Sequence, residues 1–121
     1  MKKTIALTTP LGPYSPALQL GPTLYLSGQI APDEARNGSI SLETEGVLLQ
    51  IDRLLQAAGF SRSDVVKCTV YLVDFNDFPA MNHAYESFFS DPKPTRTAIG
   101  VTGLPKNARI EIDAIAVKGD F

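Results

Sequence analysis

The chain has 121 residues, 44% of them hydrophobic and 20% charged, with nine glycines, nine prolines and no low-complexity tract. This length implies one compact domain spanning residues 1–121, with enough core to need neither disulfides nor a structural metal. Eleven Lys and Arg against 13 Asp and Glu leave a net charge of −2, and basic residues cluster nowhere beyond Lys2-Lys3, which counts against a nucleic-acid surface.

Residues 10–22 hold four prolines and two glycines, too many for a long helix, and read as a structured loop with short extended pieces. From Thr23 to Ile30, the residues Leu24, Leu26 and Ile30 alternate with Tyr25, Ser27 and Gln29 at the period of a strand, and Gly28 within it marks a bulge or a close approach. Residues 32–38 read as a surface loop. Ser41 is the N-cap candidate, with Glu43 and Glu45 in the first turn, for a helix whose Val47, Leu48, Ile51, Leu54, Leu55 and Ala58 form one buried stripe and which Gly59 ends.

Val65 to Val73 reads as a strand with Val66, Cys68, Val70 and Leu72 on one face and Lys67, Thr69 and Tyr71 on the other. Asn76 or Asp77 caps a second helix, with Pro79 in its first turn and Phe78, Met81, Tyr85, Phe88 and Phe89 as its apolar stripe. After a loop at 91–94, Thr95 to Thr102 is a strand with Thr97, Ile99 and Val101 opposite Arg96, Ala98 and Gly100. A turn at 103–108 leads to the last strand, Arg109 to Lys118, with Ile110, Ile112, Ala114 and Ala116 on one face and Arg109, Glu111 and Asp113 on the other. The order implies an α+β fold: one mixed sheet with two helices packed on one face. The other face carries Tyr25, Tyr71, Ile115 and Val117 among polar groups. Such a face calls for burial against another copy, so a homo-oligomer is expected, with sites at its subunit boundaries.

Several chemistries drop out. The longest unbroken apolar runs, 70–73 and 114–117, are four residues each, against about twenty for a bilayer span. Met1-Lys2-Lys3-Thr4 is followed by no apolar stretch of signal-peptide length, so a cytoplasmic protein without membrane contact is expected. One cysteine, Cys68, excludes an internal disulfide, and one histidine, His83, leaves no multi-His/Cys zinc site within the chain. Ser27 has no adjacent base and no G-x-S-x-G around it. Gly100-Val101-Thr102-Gly103 lacks the lysine and helix of a phosphate loop.

The remaining candidates are few. Arg96, at a strand start behind Pro94, suits a two-pronged grip on a carboxylate; the alternative is a surface arginine or a structural ion pair. Glu111 lies between two isoleucines, where partial burial raises a carboxyl pKa and suits it to proton transfer; the alternative is a solvated glutamate paired to Arg109 or Lys118. His83 falls opposite the stripe of its helix and is expected to be exposed. Asn82 lies at the border of that stripe, facing a ligand or water, and Cys68 reads as a small buried hydrophobe.

Five motifs stand in one order: Gly12-Pro13-Tyr14, Ser27-Gly28-Gln29-Ile30, Asn82-x-x-Tyr85-x-x-Phe88-Phe89, Pro94-x-Arg96 and Leu104-Pro105-x-x-Ala108-x-Ile110-Glu111-Ile112-x-Ala114. Together they resemble the reactive intermediate deaminases, the Rid or YjgF-like family, from about Pro10 to Lys118. The resemblance implies a chorismate-mutase-like fold, a homotrimer with clefts between subunits, and hydrolysis of enamines and imines such as 2-aminoacrylate and 2-iminobutanoate to 2-keto acids and ammonia. It implies no cofactor and no metal. On the matching positions, it implies that Arg96 binds the substrate carboxylate, that Glu111 holds and activates the attacking water, and that Tyr14, Ser27, Gly28, Asn82 and Ala98 line the cleft. Ala98 stands where many members have cysteine, so the thiol is lost while a backbone carbonyl remains to accept a hydrogen bond from the substrate nitrogen. The alternatives are a non-catalytic module holding a 2-keto acid in the same cleft, and an RNA-cleaving or translation-inhibiting activity, which the acidic charge balance disfavours.

Overall fold

The computed structural model describes residues 1–119. Its strands are β1 (Lys3–Ile5), β2 (Ala17–Leu20), β3 (Thr23–Gln29), β4 (Val65–Leu72), β5 (Thr95–Gly100) and β6 (Ile110–Val117), and its helices α1 (Asp33–Arg36), α2 (Ile40–Ala57) and α3 (Phe78–Glu86). The strands form one sheet in the order β1-β2-β3-β6-β4-β5. All neighbours run antiparallel except β4 and β5, which are parallel.

Strand alternation decides which face is covered. Ile110, Ile112, Ala114 and Ala116 are each at most 3% exposed, and with Leu24, Leu26, Cys68, Val70 and Leu72 they make the floor under Val47, Leu48, Ile51, Leu54 and Leu55 of α2. Helix α2 stops where Gly59 takes a left-handed φ of 79°. The Phe60 amide donates to the Leu55 carbonyl at 2.8 Å and the Gly59 amide to that of Gln56 at 3.0 Å, the paired bonds of a Schellman cap.

The structure departs from the sequence reading at several points. The N-cap of α2 is Ser39, whose Oγ accepts from the Leu42 amide at 3.2 Å, and Ser41 lies inside the first turn. The extended backbone of Ser39 lets Ile40 begin the helix and pack against the core. The segment read as a surface loop contains α1, a single turn lying against α2 at Gly46. A Cβ on Gly46 would stand 2.8 Å from that of Ala35 and 3.0 Å from that of Ala31. A register shift between Val65 and Lys67 turns Val65 inward and leaves Val66 exposed, reversing the expected side of Val66. Asp77 stands before α3 without a side-chain cap bond; the capping is done a turn earlier, where Asp74 accepts from the Asn76 amide at 2.9 Å. Among the described residues, no helix is long and apolar enough to cross a membrane.

Among the described residues, no helix covers the sheet's second face. Tyr25 and Ile99 are exposed there, and Tyr71, Ile115 and Val117 are half-buried.

Candidate functional site

Near the end of β3, the register with β6 slips between Leu26 and Gln29, so Ser27 and Gly28 form the bulge read from the sequence. The Ser27 amide donates to the Pro16 carbonyl at 2.9 Å and its hydroxyl to the Ser15 carbonyl at 2.7 Å. These bonds tie the loop bearing Tyr14 to the strand. Gly28 meets the side chain of Glu111: a Cβ there would lie 2.4 Å from Oε2 and 2.7 Å from the carboxyl carbon. Only glycine leaves that space open.

Glu111 is half-buried on the open face, and its carboxylate makes no hydrogen bond or ion pair among the described residues, so neither Arg109 nor Lys118 is its partner. Burial, and then the Asp113 carboxylate on the same strand face, push its pKa above the ordinary 4.5. Asp113 is itself occupied by the Tyr71 hydroxyl, which donates at 2.8 Å. Gly28 also borders two hollows. One, of about 540 Å³, lies beneath the Leu7–Tyr14 loop and is walled by Tyr14, Pro16, Ile30 and Leu54. The other is a groove of about 410 Å³ on the open face, lined by Tyr25, Ser27, Lys67, Thr69, Asp113 and Ile115.

Arg96 belongs to a different surface. In the parallel pairing of β5 with β4, Arg96 sits beside Cys68 and Ala98 beside Val70, so both face α3. The guanidinium carbon lies 4.9 Å from the centre of the Tyr85 ring and 5.6 Å from that of Phe78, and Nη1 reaches Met81 Sδ at 3.9 Å. No acid pairs with it among the described residues. Asn82, half-buried, occupies the stretch of helix surface between Phe78 and Tyr85. His83 is exposed, as expected, and Cys68 is fully buried, its thiol pushed up to about 11 by burial. Among the described residues, no three His, Cys, Asp or Glu side chains are grouped to hold a metal ion.

The candidates therefore fall into two sets. Tyr14, Ser27, Gly28 and Glu111 gather at the β3 bulge; Asn82, Arg96 and Ala98 gather at the β5 edge. Glu111 lies opposite Tyr71 on the open face, two strands and about 10 Å from β5 and on the other side of the sheet. In a 2-imino acid the carboxylate carbon and the imine carbon are bonded, about 1.5 Å apart. One small molecule cannot meet Arg96 and Glu111 of the same chain.

Sequence reasoning missed Glu43. This first-turn acid is fully buried, accepting from the Arg109 amide at 2.8 Å and from Arg109 Nε at 2.5 Å. Arg109 was expected on the open face beside Glu111; it precedes β6 and turns to α2 instead. The signal was present: Glu43 is four residues before Val47 and eight before Ile51, on the buried stripe.

Comparison with known proteins agrees with the motifs. The family model described as endoribonuclease L-PSP matches residues 4–118. A RutC family protein of Pyrococcus horikoshii is 48% identical over 113 residues, covering 90% of each chain. A 2-iminobutanoate/2-iminopropanoate deaminase of Dermatophagoides farinae is 45% identical over 112 residues, 89% of this chain and 88% of that protein. Among solved structures, RidA from a Psychrobacter species superposes with a TM-score of 0.89 at 36% identity, covering 96% and 99% of the two chains. E. coli TdcF with bound serine superposes with a TM-score of 0.90 at 32% identity, covering 97% and 99%. With a family model spanning nearly its whole length and relatives of this identity, the chain belongs to the RidA/YjgF (L-PSP) family.

Proposed function

We propose that the protein hydrolyses small 2-imino acids, and the enamines that tautomerise to them, to 2-keto acids and ammonia, in clefts between the subunits of a homotrimer. The observation that carries this reading is Glu111: a half-buried carboxylate without a partner among the described residues, its pKa raised, seated against a glycine that leaves it room. Arg96 of one subunit, paired with no acid among the described residues, takes the substrate carboxylate through two parallel hydrogen bonds. Glu111 of a neighbouring subunit holds a water against the C=N carbon. The substrate reacts as the N-protonated imine: as the water oxygen bonds to that carbon, the C=N π electrons move to nitrogen and Glu111 takes one water proton, giving a neutral tetrahedral carbinolamine. Glu111 then passes that proton to the amine nitrogen, and as the C–N bond breaks and C=O forms, the hydroxyl proton returns to Glu111 and on to the departing ammonia, which leaves as ammonium. A carboxyl pKa raised toward the working pH suits both steps. The substrate reacts with water unaided, so orientation and proton transfer are what the protein must add.

Relatives bearing the deaminase name, and one solved with serine, an amino acid carrying the same carboxylate, support the substrate class. The open sheet face and the unpaired edge of β5 support assembly. The alternative, a module that binds a keto acid without turnover, separates at Glu111: Glu111→Gln leaves carboxylate binding intact in that case, with no rate to lose.

Subunit complementation tests the reading. Arg96→Ala and Glu111→Gln chains are each expected to be inactive toward 2-iminobutanoate made in situ by a threonine dehydratase. Refolded together in equal amounts, they regain about a quarter of the wild-type rate, because random cyclic trimers restore one cleft in four. No recovery in mixed trimers, or no wild-type acceleration of imine loss, rejects the proposal.

A further inference from the structure

The turn leading into β6 is held by an arrangement that the mechanism above does not use. Lys106 and Asn107 both adopt left-handed backbone, with φ of 54° and 56°, a conformation that Asn tolerates and Lys avoids. Three side chains hold the turn in place. Arg36 Nη1 donates to the Lys106 carbonyl at 2.5 Å, and its Nη2 pairs with Asp33. Arg109 Nη2 donates to the carbonyls of Gly38 at 2.5 Å and Arg36 at 3.1 Å. Glu43, with no solvent exposure, grips Arg109 at both its backbone amide and its Nε. Glu43 is buried while 37% of the Arg109 side chain stays exposed, so desolvation of the carboxylate offsets much of the pair's attraction. A carboxylate that binds one residue at two points does something else: it sets that residue's place and orientation.

Arg109 stands two residues before Glu111, about 6.6 Å along an extended chain. Between them is Ile110 and beyond is Ile112, both fully buried in the core. No flexible joint separates the clamped residue from the carboxylate, so the clamp sets how deeply Glu111 sits against Gly28. We propose that Glu43 and Arg109 are positioning residues, which hold the entry to β6 so that the Glu111 carboxylate points at the attacking water. The inference rests on the assignment of Glu111 made above.

The test is kinetic and spectroscopic. Glu43→Gln keeps the shape of the side chain and removes its charge; Arg109→Lys keeps the charge and removes the fork. Phe60→Leu, a core change beyond the opposite end of α2, serves as a stability control. For imine hydrolysis, Glu43→Gln is expected to lower kcat about tenfold or more with KM within about twofold, the signature of a misplaced reacting group. Arg109→Lys loses less, and Phe60→Leu keeps kcat whatever it does to Tm. The 13C signal of the Glu111 carboxyl is expected to shift or broaden in Glu43→Gln and to stay in place in Phe60→Leu. The proposal is overturned if both clamp variants retain kcat, if the loss falls in KM alone, or if the Glu111 signal does not move. Should Glu43→Gln fail to fold, Arg109→Lys decides by the same readings. If the wild type shows no turnover, the functional assignment falls, and the carboxyl signal still decides whether the clamp positions Glu111.

Discussion

Adding one methyl group at Gly28 is a test of the site that barely touches the rest of the molecule. In Gly28→Ala the new Cβ would meet Glu111 Oε2 at 2.4 Å, whereas ordinary contact begins at 3.4 Å, so the carboxylate must retreat by about 1 Å. The backbone at Gly28 is not left-handed, and the atom in the way is the far end of a flexible side chain, so the fold absorbs the change. A displacement of that size at a reacting group costs about 10²-fold in rate. A substitution without cavity or backbone strain shifts stability by about 0.5 kcal/mol or less. The assay is loss of 2-iminobutanoate generated in situ, read beside the melting temperature of the same preparation. The expected result is kcat/KM down by about 10²-fold at nearly constant Tm. Full activity in a folded Gly28→Ala protein would refute the placing of Glu111 at the chemistry.

Four further outcomes follow from the same geometry. Arg96→Lys keeps a positive charge but not the two-pronged grip, so KM should rise about tenfold or more while Tm holds; an unchanged KM would remove Arg96 from substrate binding. Glu111 gives a pH dependence whose sign can be worked out. Its folded pKa lies above 4.5, so between those values the native state binds more protons than the unfolded chain, and its contribution to stability falls as pH rises through the window. Glu111→Gln should therefore melt higher than wild type by a margin that opens above about pH 4.5, and a margin independent of pH would contradict this. Gly46→Ala pits a helix-propensity gain of about 1 kcal/mol against overpacking costs of about 1–3 kcal/mol. The methyls it meets at 2.8 and 3.0 Å belong to alanines with no rotamer to yield, so denaturant titration should show net destabilisation. Light scattering should give about three times the 13.1 kDa chain mass, and a monomer would remove the intersubunit cleft.

Much of the architecture was legible because its elements are long enough to show a period. The 18 residues of α2 repeat their apolar stripe over five turns, β6 alternates across all eight of its residues, and β4 alternates from Lys67 to Leu72. The three residues of β1, the four of β2 and the single turn of α1 are too short for any period to appear, and they lie among prolines and glycines. Arg96 and Glu111 were visible as residue types, yet their separation across the sheet was not. Which side of β5 meets the helices depends on its register with β4, and no local pattern in Thr95–Gly100 carries that information. The burial of Glu43 was illegible for a related reason. An acid in a first helical turn satisfies the helix dipole whether it is solvated or buried, and only the distant Arg109 decides between the two.

The lone thiol has a practical consequence. Cys68 lies on the floor of the core with no exposed surface and with its ionisation suppressed, and it is the chain's one cysteine. An alkylating reagent added to the native protein can react only when the helices lift from β4 or the core opens more widely, because both access and the thiolate are missing until then. Labelling under native conditions would thus time the opening of the core over the central sheet without any engineered probe. Because β4 lies between the strands bearing Arg96 and Glu111, the same clock would report how firmly the two sets of candidate residues within one chain are held together.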